Sequence, residues 1–334
     1  ALMGAQASPA QALADKYGVS VSSPGQRRFL AAIATLDAAL TRPGGAKGAT
    51  TALVDHDARR DIFHLEALFK VYGDALGPAA EPLAAQVKGL EDLIGATTTF
   101  SHALKLAKDR GAPPEVSQRL RELQSAAMDA VEAEVAAHWL PGKDGKSPAV
   151  ATLLSTLNQA ELPGEKKDRK LVAKWFTHQA EKIGRTDYAM DRLGDGVHAL
   201  RRKLRWLVVT MESLDGLVQV GPARTKGAAT EALVKKYPST LAPAQAGEKT
   251  LEVPADVFAQ LQAAIADIGE IKDDAEAREL LESAARDSGA SPDAIDVALG
   301  PAGSQADMTA RATVVRDGLR AQGTVAQLAA AFGD

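Results

Sequence analysis

Apolar residues along this chain recur at intervals of three and four positions, which is the spacing of one face of an α-helix. Alanine and leucine dominate these positions. The alternation of valine, isoleucine and threonine that is typical of β-strands is almost absent. Proline and glycine interrupt the pattern and divide it into separate runs. The pattern therefore predicts an all-α protein.

The individual runs are bounded by proline, glycine or small polar residues, which start and stop helices. The runs that we predict to be helical are Pro24–Leu40, Thr50–Leu76, Glu81–Ile94, Thr98–Asp109, Pro114–Trp139, Glu165–Ile183, Thr186–Val220, Pro254–Gly269, Asp273–Asp287 and a tail from Pro292 to Phe332. The order of long runs repeats in the two halves of the chain, so we expect a tandem helical repeat packed as bundles.

The spacing of the helical runs also predicts a domain organisation. Residues 1–23 are small and polar and predict a loosely held arm with one short helix. Residues 24–140 predict a first helical bundle, and residues 164–287 predict a second. A segment rich in proline, glycine and lysine begins the predicted linker, residues 141–163. Residues 288–334 are expected to form a C-terminal helical extension.

One short motif occurs twice: a histidine followed at +3 and +4 by two arginines. The copies, with the cationic residues that follow each, are His56, Arg59, Arg60 and His64, and then His198, Arg201, Arg202, Lys203 and Arg205. Offsets of three, four and seven place side chains on one helix face, where like charges repel unless carboxylates or a bound anion neutralise them. Solvated or internally paired charges are the alternative to an anion site. The duplication favours the anion site.

Positive charge is concentrated in one segment, although the net charge of the whole chain is only −4. Between Gly164 and Arg205, twelve Lys and Arg residues, Lys170 and Lys174 among them, face six Asp and Glu residues. Such asymmetry indicates an anionic partner. Nucleic acid fits less well than a flexible polyanion, because single-strand binders stack bases on aromatic side chains and only 4% of this chain is aromatic.

Several classes of chemistry are excluded by composition. The chain has no cysteine, which rules out disulfides, a thiol nucleophile and a thiolate metal site. None of the H-E-x-x-H, G-x-S-x-G or G-x-x-x-x-G-K-[ST] motifs occurs, so we expect no enzyme, no cofactor and no metal. No apolar run approaches the length that a transmembrane helix requires, which predicts a soluble protein.

The start of the sequence is compatible with two interpretations. Ala5-Gln6-Ala7 before Ser8 resembles the A-x-A end of a signal peptide, which would indicate an exported or periplasmic protein. A trimmed start rich in alanine is the alternative, and it would leave a cytoplasmic location open. Nothing in the sequence indicates an oligomeric state.

The two His-x-x-Arg helices resemble those of the CHAD family, the conserved histidine α-helical domain. The segment Ile268–Ala275, which reads Ile-Gly-Glu-Ile-Lys-Asp-Asp-Ala, is similar to a glycine and aspartate signature of that family, and Leu93–Ala96 takes the equivalent place in the first half. The resemblance implies two pseudo-symmetric four-helix bundles. It also implies non-catalytic binding of inorganic polyphosphate, or of a similar polyanion, in a basic groove between the halves.

The doubled motif, the basic segment and the resemblance together predict a set of site residues. They are His56, Arg59, Arg60, His64, Lys170, Lys174, His198, Arg201, Arg202, Lys203 and Arg205. The first half departs from the family pattern, because Thr97–Thr99 replace an Arg-Asp pair and Asp57 and Asp61 dilute the charge of the first motif. We therefore expect the second half to hold more of the site. The alternative is a scaffold of the same fold whose phosphate site has decayed, with the arginines in internal ion pairs.

Overall fold

The computed structural model of the chain describes residues 7–333, except for the side chain of His56. Helices account for 76% of the structure, which confirms the all-α prediction. The helices, in chain order, are α1 (Pro9–Tyr17), α2 (Pro24–Leu40), α3 (Gly45–Leu53), α4 (His56–Leu76), α5 (Glu81–Arg110), α6 (Pro114–Glu134), α7 (Pro148–Gln159), α8 (Glu165–Arg185), α9 (Ala199–Ser213), α10 (Ala228–Lys236), α11 (Ala255–Ser288), α12 (Pro292–Leu299), α13 (Gln305–Gln322) and α14 (Thr324–Gly333).

The chain forms two compact units. Unit 1 comprises the described residues up to Gly95 together with Ala127–Val172, and unit 2 comprises Ala96–Ala126 together with the chain from Ala173 onward. Helices α5, α6 and α8 each contribute residues to both units.

Unit 1 is organised around α2. Ser23 caps this helix by accepting a hydrogen bond from the backbone N–H of Gln26 at 3.2 Å, and Pro24 occupies the first turn, where its missing N–H costs nothing. Helix α2 packs against α1, α3, α4 and α7. Its buried face includes Phe29 and Leu36, and the Phe29 ring meets Phe69 of α4 edge-on at 5.2 Å. The predicted bounds of α2 are confirmed.

Unit 2 is organised around the long helix α11, which packs against α9, α10, α12, α13 and α14. One apolar cluster joins the unit-2 parts of α5 and α6 to α11 and α12, and it consists of Ala103, Ala107, Val116, Leu120, Ala277, Leu281, Ala284, Ala285, Ile295 and Leu299. Two short strands, β1 (Val218–Gly221) and β2 (Leu251–Pro254), pair in parallel, with Val218 opposite Leu251. The tail is helical as predicted, but it forms three helices.

Several predicted helix boundaries are wrong. The run predicted from Thr50 to Leu76 divides into α3 and α4, because Asp55 leaves the helical conformation and caps α4 by accepting from the N–H of Asp57 at 3.0 Å. The predicted breaks near Gly95 and near Gly269 do not occur, and α5 and α11 run through both glycines. Both glycines have a role in helix packing, described below.

The predicted linker contains a helix. Ser147 is fully buried and caps α7, whose apolar face buries Val150, Leu153 and Leu154. The segment predicted as one helix from Thr186 to Val220 instead contains an irregular stretch (residues 186–192), a π-helical turn (Leu193–His198), α9 and the start of β1. Helix α10 lies in the connection that follows. Among the described residues, no helix is both long and apolar enough to cross a membrane.

Candidate anion-binding site

The first His-x-x-Arg-Arg motif lies at the start of α4. Arg59 donates from Nε and Nη2 to Oε1 of Glu91 on α5, at 3.2 and 3.1 Å. Its guanidinium also lies 5.2 Å from the centre of the Phe63 ring. Three-quarters of the Arg59 side chain is buried, with 25% exposed. Arg59 therefore links α4 to α5 within unit 1.

The other described cations of this motif also lie beside carboxylates. Arg60 is half-exposed, and its nitrogens lie 3.6 Å from Asp57 and 3.8 Å from Asp61. Nδ1 of His64 lies 3.4 Å from Asp61, and Nε2 of His64 is buried without a hydrogen-bond partner. Burial lowers the pKa of His64, against the attraction of Asp61, so a neutral imidazole is favoured. The side chain of His56 lies outside the described residues.

The second motif begins on the π-helical turn Leu193–His198. Its wide turn closes with a hydrogen bond from the N–H of Val197 to the carbonyl of Arg192, at 2.9 Å. Gly196 is required here, because a Cβ at this position would lie 1.7 Å from the carbonyl oxygen of Ala189. The turn leads directly into α9 and places His198 at the junction.

Arg201 of the second motif packs as Arg59 packs in the first. Its guanidinium covers Gly269 of α11, where a Cβ would lie 2.8 Å from Nε, and Nε donates to the carbonyl of Ile265 at 3.4 Å. In unit 1, a Cβ on Gly95 of α5 would lie 3.0 Å from Nη2 of Arg59. The first arginine of each motif therefore docks on a helical glycine of a neighbouring helix.

His198 lies within a cluster of charged groups from α9 and α11. Its Nδ1 is 4.0 Å from Oε1 of Glu276, and Nζ of Lys272 lies 3.3 Å from Oε2 of the same carboxylate and 3.0 Å from Asp273. The pKa of His198 is lowered, first by burial and then by Lys272, Arg202 and Arg201, while Glu276 opposes the shift. We refer to His198, Arg202, Lys272 and Glu276 as the His198 cluster.

The structure brings together only part of the predicted site within each unit. His198, at the end of the π-helical turn, lies near Arg201 and Arg202 of α9, and Arg202 is exposed. Lys203 and Arg205 are half-buried on α9. The sequence interpretation missed Lys272 and Glu276, although both lie within or next to the Ile268–Ala275 segment that it singled out.

Comparison with family models, with curated proteins and with solved structures gives no match.

Helix α8 presents further exposed cations. Lys170 lies on the unit-1 part of α8, and Lys174 lies on the unit-2 part. In unit 2, the exposed positions Lys174, His178, Lys182 and Arg185 follow helical spacing opposite the buried Phe176, which stacks on Phe332 at 4.3 Å. This face carries one exposed acid, Glu181. An anionic chain is the kind of ligand that such a face attracts.

The described residues of this arrangement do not form a metal-binding site. Within residues 7–333, no group of three or more His, Asp or Glu side chains is placed to hold one. The chemistry that the described cations offer is charge-assisted hydrogen bonding to anionic oxygens, from guanidinium, ammonium and imidazole groups.

The docking of Arg59 on Gly95 predicts opposite outcomes for two glycines of α5. Gly89→Ala should stabilise the protein by about 0.5–1 kcal/mol, because alanine favours a helix interior and nothing lies within 4 Å of the new Cβ. Gly95→Ala should remove that gain or reverse it, because its Cβ would press on Nη2 of Arg59. Urea unfolding of both variants measures the difference, and equal gains would contradict the docking role.

Proposed function

We propose that this protein binds inorganic polyphosphate, or a similar polyanion, without catalysing a reaction on it. The proposed contacts with the ligand lie on unit 2, at the His198 cluster and at the exposed cations of the unit-2 part of α8. The observation that carries the proposal is the His198 cluster itself. In this cluster, burial and the charges of Lys272 and Arg202 lower the pKa of His198, and Nδ1 of His198 lacks a hydrogen-bond partner.

The resemblance to the CHAD family supports the choice of ligand and a finer statement about the fold. We propose that the chain derives from a duplicated helical unit, and that its two halves are pseudo-symmetric four-helix bundles. The equivalent contacts of Arg59 with Gly95 and of Arg201 with Gly269 support the duplication. In both, the residue at +3 from the motif histidine packs on a glycine of another helix.

The two motifs differ in their charge balance, and this difference favours unit 2 as the binding unit. In the first motif, Arg59 is hydrogen-bonded to Glu91, and Arg60 lies between Asp57 and Asp61. These carboxylates already neutralise the arginines, as the scaffold alternative expects for a decayed site. In the second motif, Arg202 is exposed and is close enough to His198 to lower its pKa.

The test is a titration with sodium polyphosphate of defined chain length at two salt concentrations. Affinity should fall steeply as salt rises, since counterions released from a polyanion drive its association with cations. Replacing Arg202 with glutamine should weaken binding roughly three- to tenfold at low salt and should lower the log–log salt slope by about one.

Arg60→Gln is the matched control, because Arg60 occupies the same +4 position in the first motif and is also exposed on its helix. Its affinity should stay within about twofold of the parent, as expected for a surface charge that is already paired. If both variants lose the same affinity, the proposal that unit 2 is the binding unit is wrong. If the parent protein shows no measurable binding even at low salt, the scaffold alternative replaces the proposal.

A further inference from the structure

Protonation of His198 would change the charge of the proposed anion site directly, because His198 lies within it. It ends the π-helical turn, which packs against α11, as α9 does. Its Nδ1 is buried and lacks a hydrogen-bond partner, while Oε1 of Glu276 lies 4.0 Å away, just beyond hydrogen-bond distance. If Nδ1 is protonated, a small movement would allow it to donate a hydrogen bond to the Glu276 carboxylate.

The charges around the imidazole come from two helices. On α9 they are Arg201 and Arg202; on α11 they are Lys272 and Glu276, and Asp273 pairs with Lys272. Burial and the three cations Lys272, Arg202 and Arg201 disfavour a further positive charge on the imidazole, so the pKa of His198 is lowered. The neutral form of the imidazole is therefore favoured in the ligand-free protein.

We propose that binding of a polyanion at the His198 cluster is coupled to the uptake of one proton by His198. This inference rests on the proposed function. A phosphate group held by the exposed Arg202 adds negative charge beside the ring and offsets the repulsion of the surrounding cations. The proton comes from solvent. The imidazolium then donates from Nδ1 to Glu276 and stabilises the bound anion from its other nitrogen.

The direction of the pH effect follows from linkage. If the pKa of His198 is higher in the complex than in the free protein, affinity is greatest below both values. It falls as pH rises through the interval between them, by at most tenfold per pH unit for one proton, and is constant again above the interval. Because the pKa of His198 in the free protein lies below its usual value of 6.5, binding should take up protons in mildly acidic to neutral solution.

Isothermal titration of the full chain with medium-chain sodium polyphosphate measures this uptake. The binding enthalpy, recorded between pH 5.5 and 8 in buffers of different protonation enthalpy, gives the number of protons bound per complex. The terminal phosphates of the ligand also titrate in this range. His198→Asn therefore supplies the reference, and the parent protein should take up more protons than this variant and show a steeper pH dependence of affinity.

Two further variants separate the possible outcomes. His138→Asn removes an exposed histidine that lies 3.9 Å from Glu134, and it should match the parent in proton uptake. Glu276→Gln removes the negative charge that favours the imidazolium and should shift the pH dependence to lower pH. Equal proton uptake in the parent and in His198→Asn overturns this inference and leaves polyanion binding intact. Absence of binding by the parent at every pH overturns both.

Discussion

Replacing Asp168 with alanine should destabilise unit 1 by about 3–5 kcal/mol, because it removes the carboxylate that pairs with the buried charge of Arg28. Arg28 on α2 donates from Nη1 to Oδ2 of Asp168 at 2.6 Å. The side chains are 0% and 1% exposed. Neither group has access to water in the native state, so loss of one partner cannot be compensated by hydration.

Tyr72 of α4 completes this buried network. Its hydroxyl donates to Oδ1 of Asp168 and accepts from Nη1 of Arg28, both at 2.6 Å. Burial, opposed by the Arg28 charge, raises the pKa of Tyr72 above its usual value, which keeps the hydroxyl protonated as a donor. The three side chains join α2, α4 and the first turn of α8, which are far apart in the sequence.

The experiment compares urea unfolding of the parent with three variants. Tyr72→Phe should cost about 1–3 kcal/mol, since it removes a hydrogen-bonding group but keeps the ion pair. Asp92→Ala is the control for an exposed pair: Asp92 lies 2.5 Å from Lys88, both are more than half exposed, and the cost should be about 0–1 kcal/mol. Hydrogen exchange should locate the loss in the Asp168 variant to α2 and α4.

If the Asp168→Ala variant is as stable as the Asp92→Ala variant, the prediction that Asp168 stabilises unit 1 through the buried network is wrong. A double replacement, Arg28→Met with Asp168→Leu, separates the burial of a charge from the loss of packing. It should recover part of the lost stability, because no charge is left unpaired, while the Tyr72 hydroxyl loses both of its hydrogen-bond partners. A double variant as unstable as Asp168→Ala would mean that the packing and hydrogen bonds of these side chains, and not an unpaired charge, set the cost.

Local sequence signals predicted helices well where capping and apolar periodicity agree. Helix α2 begins after Ser23 with Pro24 in its first turn, and both its ends were predicted. Helix α7 was missed, because Pro141 and the glycines after it conceal the cap at Ser147. Its twelve residues bury an apolar face that periodicity alone would have identified.

Glycine was misinterpreted at two positions for a reason that only tertiary structure reveals. Gly95 and Gly269 were taken as breaks between helices, yet each lies inside a continuous helix and accommodates a guanidinium from another helix. The cost of glycine in a helix is only about 1 kcal/mol, so a packing contact can outweigh it. The sequence contained both the arginines and the glycines but no local indication that they meet.

The candidate site was predictable as a motif but not as a charge distribution. The doubled His-x-x-Arg-Arg pattern identified His198 and Arg202. Whether a motif side chain lies beside a carboxylate depends on residues from other helices, such as Glu91 beside Arg59 and Glu276 beside His198. The buried pair of Arg28 and Asp168 lacked any sequence signal for the same reason.

Unit 1 should lose stability as pH rises from mildly acidic to alkaline, because of the buried carboxyl group of Glu66. Glu66 on α4 and Glu91 on α5 are each only 8% exposed, and Oε2 of Glu66 has no hydrogen-bond partner. Burial, and then the charge of Glu91, raises the pKa of Glu66 to about 8; Asp92 adds to the shift, and Lys70 and Lys88 oppose it. Glu66 is therefore largely protonated in the native protein at pH 7.

The sign of the effect follows from the protons that each state binds. Between the usual pKa of 4.5 and about 8, the native state holds a proton on Glu66 that the unfolded chain has released. The free energy of unfolding should therefore fall with rising pH in this interval, by up to about 1.4 kcal/mol per pH unit, and should level off above it.

Glu66→Gln tests this prediction, since glutamine has the shape of the protonated carboxyl group and cannot ionise. Subtracting the pH profile of this variant from that of the parent, both from urea unfolding between pH 4.5 and 9, isolates the contribution of Glu66. The difference should grow steadily across the interval in favour of the variant. Glu81→Gln, at an exposed position of α5, should follow the parent at every pH. A constant difference between the parent and Glu66→Gln would show instead that Glu66 is ionised in the native protein throughout this range.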